Sequence, residues 1–142
     1  MPLIHNTSFD PSVWPVRVYY EDTDAGGVVY YANYLRFCER ARTERLRALG
    51  IDQRALAAEH GIVFVVRRVE ADYLRGAELD DALQVITRVI DMGAASLKFD
   101  QQILRGEALL FSASVTIACV DSRRWRATRI PEFLRTLLES EA

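Results

Sequence analysis

Asp22 and Asp24 stand two residues apart in the run E-D-T-D-A-G-G, just ahead of a long stretch without Gly or Pro. A carboxylate can attack an acyl carbon itself or activate a water that does so. Gly26 and Gly27 permit backbone angles closed to other residues and let a substrate come close. With Val28 they form the loop that would face it. The helix that follows begins with N–H groups lacking intrahelical partners and with a partial positive charge. One short segment therefore pairs a carboxylate with an oxyanion site about seven residues on, which suits attack on a carbonyl bearing a good leaving group. A leaving group that departs readily as an anion needs little protonation, so such chemistry needs no separate histidine.

The same residue types have structural uses. Asp before a helix commonly serves as a turn or N-cap residue, and pattern alone leaves that open for both carboxylates; Asp22 is read as structural, holding the loop. Glu39 and Glu44 would suit a pocket wall, but surface pairing is preferred, with Arg40 and Glu44 at i,i+4. Cys38 and Cys119 lie in apolar runs and read as small buried hydrophobes in a reducing compartment. His5 and His60 are isolated, so no metal site is expected. Arg123, Arg124, Arg126 and Arg129 offer guanidinium groups to phosphates. A solvated basic loop is the preferred reading of that cluster.

The elements that hold these residues follow from periodicity. Trp14 to Tyr20 alternates β-branched and aromatic residues and predicts a strand. Tyr30 to Leu49 repeats apolar positions at steps of three and four (Tyr34, Phe37, Cys38, Ala41, Ala48, Leu49), with a gap around Arg45, and Gly50 closes it. A short helix is predicted for Gln53 to His60, ended by Gly61. Strands are predicted for Ile62 to Tyr73, Ala82 to Met92, around Leu97 to Ile103, and Leu109 to Val120. Pro131 opens a last helix, Glu132 to Glu139. Strands grouped after one long helix indicate an α+β fold, a single antiparallel sheet wrapped around that helix.

At 142 residues, half of them hydrophobic, the chain is one domain with a core that needs no disulfide or metal. Residues 1–12 read as a loose tail. The net charge of −2 argues against a nucleic-acid binder. No apolar run approaches the roughly 20 residues of a membrane span, and the N-terminus has no signal-peptide pattern, so a cytoplasmic location is expected.

The run Y-Y-E-D-T-D-A-G-G-V-V-Y, with E-R-A-R-T-E in the helix and the later F-V-V-R, resembles the hydroxybenzoyl-CoA thioesterase family. It looks most like the branch associated with the Tol-Pal envelope machinery of Gram-negative bacteria. The resemblance covers most of the chain. It implies a hot-dog fold and metal-free, cofactor-free hydrolysis of acyl-CoA to free acid and CoA. It puts the catalytic carboxylate at Asp24 and the oxyanion donor at the backbone N–H of Tyr31, where that branch often carries His. It also implies a homo-oligomer, a dimer of edge-joined sheets or a tetramer, with active sites at subunit interfaces. An acyl carrier protein is a further candidate partner. The competing function is an acyl-chain or acyl-carrier binding module in envelope lipid metabolism; a hot-dog dehydratase is disfavoured, because the loop and helix carry no His.

Overall fold

The computed structural model of the protein describes residues 10–140. In chain order the elements are β1 (Val13–Arg17), a 3-10 turn (Tyr20–Asp22), α1 (Tyr31–Ala48), α2 (Gln53–His60), β2 (Ile62–Tyr73), β3 (Ala82–Met92), β4 (Ser96–Arg105), β5 (Ala108–Asp121), β6 (Arg126–Ala127) and α3 (Glu132–Glu139). The sheet runs β1-β3-β4-β5-β2 with every neighbour antiparallel, and β6 folds back on β5.

Period-two alternation gives the sheet one apolar face. β4 turns Leu97, Phe99, Gln101 and Ile103 inward, β3 turns Leu83, Val85, Thr87 and Val89, and β5 turns Ala113, Val115, Ile117 and Cys119. α1 lays Tyr34, Phe37, Cys38 and Ala41 on this face, and the Tyr34 ring stacks on Phe111 of β5 at 5.2 Å between centroids. Each large side chain buried this way contributes about 1.5–3 kcal/mol. One curled antiparallel sheet around one long helix is the hot-dog fold.

The helix face differs from the apolar pattern in two places. Ala48 is exposed, because Leu46 and Leu49 take the apolar positions of the last turn. Arg42 and Arg45 are buried. Arg42 donates to Gln101 Oε1 at 2.8 Å, and Gln101 Nε2 donates to the Cys38 carbonyl at 3.0 Å and to Thr87 Oγ1 at 2.8 Å. Burial lowers the Arg42 pKa. The polar chain ties helix to sheet, since a buried guanidinium without acceptors would be costly.

The first strand is also shorter than predicted. It ends at Arg17, and Tyr20 is exposed in the 3-10 turn. The Asp22 carboxylate accepts from the Tyr19 N–H at 2.8 Å, which curls the chain out of the strand. Ser12 is buried, and its carbonyl accepts from Thr87 N–H at 2.8 Å; residues 1–9 of the predicted tail, His5 among them, lie outside the described residues.

The two edges of the sheet are unlike. β1 is 5 residues long and contains Pro15, which protects an edge from further pairing. β2 is 12 residues long and exposes Val66 (47%) and Val69 (38%). No described helix is long and apolar enough to cross a membrane.

Candidate active site

The segment between β1 and α1 is closed by hydrogen bonds at its base. Asp22 is buried, and its two carboxylate oxygens accept from Tyr19 N–H and from Asn33 Nδ2 at 2.8 and 2.9 Å. Its carbonyl accepts from Tyr30 N–H at 2.9 Å. Above this base Thr23 pairs with Val29, Asp24 N–H donates to the Val28 carbonyl at 2.9 Å, and Gly27 N–H donates to the Asp24 carbonyl at 3.0 Å. Gly27 has φ +84°, a left-handed angle that favours glycine. Gly26 has no such angle. Its role is space, because a Cβ there would lie 3.2 Å from Asp24 Oδ1.

The loop is fixed to the sheet from below. Val29 N–H donates to the Ala77 carbonyl at 2.8 Å, and Val28 pairs with Glu78. Ala77 N–H in turn donates to the buried Tyr34 hydroxyl at 2.9 Å. The loop is thus anchored to both α1 and the β2–β3 connection.

Asp24 is exposed at the tip. Its Oδ1 accepts from Gly26 N–H at 2.8 Å, and its other oxygen accepts no bond among the described residues. Tyr30 caps α1 in extended conformation (φ −61°, ψ 134°) and supplies no side-chain cap. The Tyr31 N–H, first in the helix, has no intrahelical partner. Carboxylate and helix start are each within two residues of the Asp22–Tyr30 bond, about 7 Å of chain. A partly free carboxylate and uncapped helix N–H groups thus belong to one short loop closed at its base.

Beside this pair lies a wall of aromatic rings. Tyr31 meets Tyr30 at 4.9 Å and Tyr73 at 6.3 Å between centroids, and Tyr73 meets Phe111 at 5.0 Å. The Tyr73 hydroxyl donates to the Tyr31 carbonyl at 3.1 Å. Burial, then neighbouring Tyr31, raises the Tyr73 pKa, which keeps that donor protonated.

Residues 18–138 match the thioesterase-like superfamily. The chain belongs to this superfamily. It is similar to the acyl-CoA thioesterase YbgC of Haemophilus influenzae, 48% identical over 119 residues, covering 84% of this chain and 88% of that protein. It is similar to the acyl-CoA thioester hydrolase YbgC of Escherichia coli O6:H1, 49% identical over 120 residues, covering 84% and 89%. Among solved structures it is similar to a probable thioesterase from Bartonella henselae, with a TM-score of 0.80 at 39% identity, covering 84% and 98%.

Within this member of the superfamily the other polar candidates lie elsewhere. Glu44 pairs with Arg47 at 2.6 Å, i,i+3, rather than with Arg40. Glu39 accepts from the Thr43 hydroxyl at 2.8 Å and lines a recess of about 550 Å³ between α1 and β2, with Leu35, Arg36, Val66 and Val69. Neither Asp24 nor Tyr31 lines that recess. Cys38 is buried with its thiol pushed up to about 12 by desolvation, and burial also raises Cys119. The His60 ring rests on Phe133 at 4.8 Å. No group of three or more His, Cys, Asp and Glu side chains gathers as metal ligands among the described residues. Asn33, Tyr34 and Tyr73 support the site without a motif to mark them. The available signal was a polar Asn in the first turn of an otherwise apolar-faced helix.

Proposed function

We propose that the protein is an acyl-CoA thioesterase that hydrolyses its substrate to free acid and CoA, with Asp24 as the reacting carboxylate and the Tyr31 N–H as oxyanion donor. The observation that carries this reading is the exposed Asp24, with one oxygen free of hydrogen bonds among the described residues, on the hydrogen-bonded loop that leads into an uncapped helix N-terminus. The thioester carbonyl would lie between them. Asp24 either attacks the carbonyl carbon, giving a mixed anhydride that water then opens, or takes a proton from an attacking water. In both routes negative charge grows on the carbonyl oxygen, where a preorganised N–H is most useful. The sulfur departs as thiolate. The loop Gly26, Gly27 and Val28 would pass along the substrate.

The active form is a homo-oligomer built on β2. That edge is long, exposes Val66 and Val69 on either side of Arg67 and Arg68, and has no strand on its outer side among the described residues, so a two-fold axis near its midpoint would join two sheets antiparallel. Such pairing would also wall the otherwise open Asp24 site. A dimer doubled to a tetramer extends the same idea. The resemblance to the Tol-Pal-associated branch supports a cytoplasmic enzyme serving the envelope, with acyl carrier protein as a second acyl donor.

Thiol release from a panel of acyl-CoAs, with chelator present, tests the reading. Asp24→Asn should lower kcat at least about a hundredfold. Asp22→Asn should cost kcat clearly less and stability more, because its oxygens hold Tyr19 and Asn33. Acyl-CoA that binds tightly without turnover would instead favour a carrier or binding module. Near wild-type activity in Asp24→Asn would remove Asp24 from the mechanism.

A further inference from the structure

α1 and β2 lie side by side, and the groove between them ends on a buried charge. At one end the Tyr73 hydroxyl reaches the Tyr31 carbonyl. At the other, Phe64 and Val66 line an inner pocket of about 110 Å³ together with Arg42. The recess of about 550 Å³ begins at Leu35, one turn beyond Tyr31, and shares Glu39, Arg42 and Val66 with that pocket. Residues 31, 35, 39 and 42 recur at steps of four, four and three, so they form one stripe along the helix. The groove therefore leads from the helix start to Arg42.

Arg42 is 9% exposed. A guanidinium carries five N–H donors and stays charged. Among the described residues Arg42 donates to one acceptor, Gln101 Oε1, at 2.8 Å. Its other nitrogens are not sealed, since among the described side chains the one enclosed polar atom without a partner is Ser114 Oγ. They open onto the groove, whose apolar wall is Leu35, Val66, Val69 and Val115. Arg36 and Arg40 line the same recess against one carboxylate, Glu39, whose Oε2 accepts from the Thr43 hydroxyl. Such a channel suits an apolar chain with an anion at its far end, and a carboxylate matches the guanidinium fork.

The helix sets the length of that chain. Gln101, which accepts from Arg42, also donates to the Cys38 carbonyl, so the guanidinium lies near the level of Cys38. This agrees with the lean of helical side chains toward the N-terminus. Cys38 stands seven residues beyond Tyr31, roughly 11 Å along the axis. An extended chain advances roughly 3.5 Å per three bonds, so seven bonds cover roughly 8 Å. A hydrogen bond of about 3 Å at the far end fills the remainder.

We infer that Arg42 is a specificity residue that binds a carboxylate at the far end of the acyl chain, so that the substrate class is a medium-length dicarboxylic acyl-CoA. The inference rests on the acyl-CoA reading. It explains why a guanidinium with one protein acceptor is kept at the bottom of an apolar groove.

Suberoyl-CoA and octanoyl-CoA, equal in chain length, test it. Wild type should favour suberoyl-CoA about tenfold or more in kcat/KM, as a charged hydrogen bond would give. Arg42→Met should bring that ratio to about one or below, and Arg42→Lys should retain part of it. An Arg42 that only ties helix to sheet would lower both substrates alike and leave the ratio unmoved. Glu39→Gln removes the carboxylate from the groove and should raise the ratio roughly threefold. Glu39 is exposed, so this variant reads the charge of the groove even where the Arg42 variants do not fold. A wild type that treats both substrates alike, prefers octanoyl-CoA, or hydrolyses other acyl-CoAs but neither of these overturns the inference. A ratio unmoved by Arg42→Met, or by Glu39→Gln where Arg42→Met is unfolded, overturns it too. If no acyl-CoA is hydrolysed, the thioesterase reading fails, and calorimetry with free suberate decides the site. Binding that Arg42→Met weakens or Glu39→Gln tightens keeps Arg42 as a carboxylate site, and absence of binding removes it.

Discussion

Tyr31 presents two different groups at the start of α1, an exposed ring and a backbone N–H. Their roles separate by substitution. If the N–H polarises the carbonyl, Tyr31→Ala and Tyr31→His keep most of kcat, because both keep the donor. Tyr31→Pro removes it while remaining compatible with a first helical turn. Activity should then fall roughly 10²–10³-fold, the usual cost of one oxyanion donor. Ala32→Pro is the control and should be tolerated far better, with circular dichroism checking that both variants fold. Equal loss in Tyr31→Ala and Tyr31→Pro would assign the effect to the side chain. The contrast between Asp22 and Asp24 is also local. Both are carboxylates in one turn, yet Asp22 is buried with both oxygens occupied, and Asp24 is exposed with one occupied.

Among the elements, the β2–β3 connection matters more to the site than its distance in sequence suggests. Its residues Ala77 and Glu78 hold Val29 and Val28. The connection is itself held by Asp81, whose Oδ2 accepts from Glu78 N–H at 2.9 Å and pairs with Arg105 at 2.7 Å. Partial burial alone would raise the Asp81 pKa. The Glu78 N–H and the Arg105 guanidinium outweigh it and hold the carboxyl below its usual range. A lowered folded-state pKa contributes stability above the unfolded value, and that contribution is lost as pH falls through the folded value. The Arg105 side chain is more than a third exposed, so solvent screening keeps the pair to about 0.5–1 kcal/mol. Asp81→Asn should therefore lower Tm by roughly 2 °C at pH 7. The difference should shrink as pH falls below the unfolded carboxyl's value of about 3.9 and vanish only once the folded carboxyl is protonated as well. Scanning fluorimetry across pH checks this, and a pH-independent difference would show that charge is not the cause.

At the scale of the whole molecule, an uncovered 12-residue edge with exposed Val66 and Val69 is a liability unless it is paired. Light scattering should find a dimer or tetramer and no substantial monomer. Val66→Lys/Val69→Lys sets the lysine at 66 of one protomer against the lysine at 69 of the other across the two-fold axis. It should yield a folded monomer that has lost most of its thioesterase activity. A wild-type monomer with full activity would sink both edge pairing and the shared site.

The sequence by itself determined the local elements and the residue types of one segment. Helix α2, strands β2 and β3 and helix α3 have the predicted bounds, because caps and the periods 2 and 3.6 are short-range signals. The D-T-D-A-G-G loop ahead of a helix was legible for the same reason, since carboxylate, glycines and helix start lie within ten residues. Tertiary structure decided what distant residues do to one another. Arg42 and Gln101 are 59 residues apart, Ala77 and Tyr34 are 43 apart, and Tyr73 and Tyr31 are 42 apart. No periodicity marks a polar residue as the partner of another so far along the chain. The early end of β1 and the two-residue β6 likewise depend on contacts, the Asp22 carboxylate in one case and the Asp121 turn in the other. A buried polar group must find its partner wherever the fold brings one, so its role is settled only when the sheet has closed around the helix.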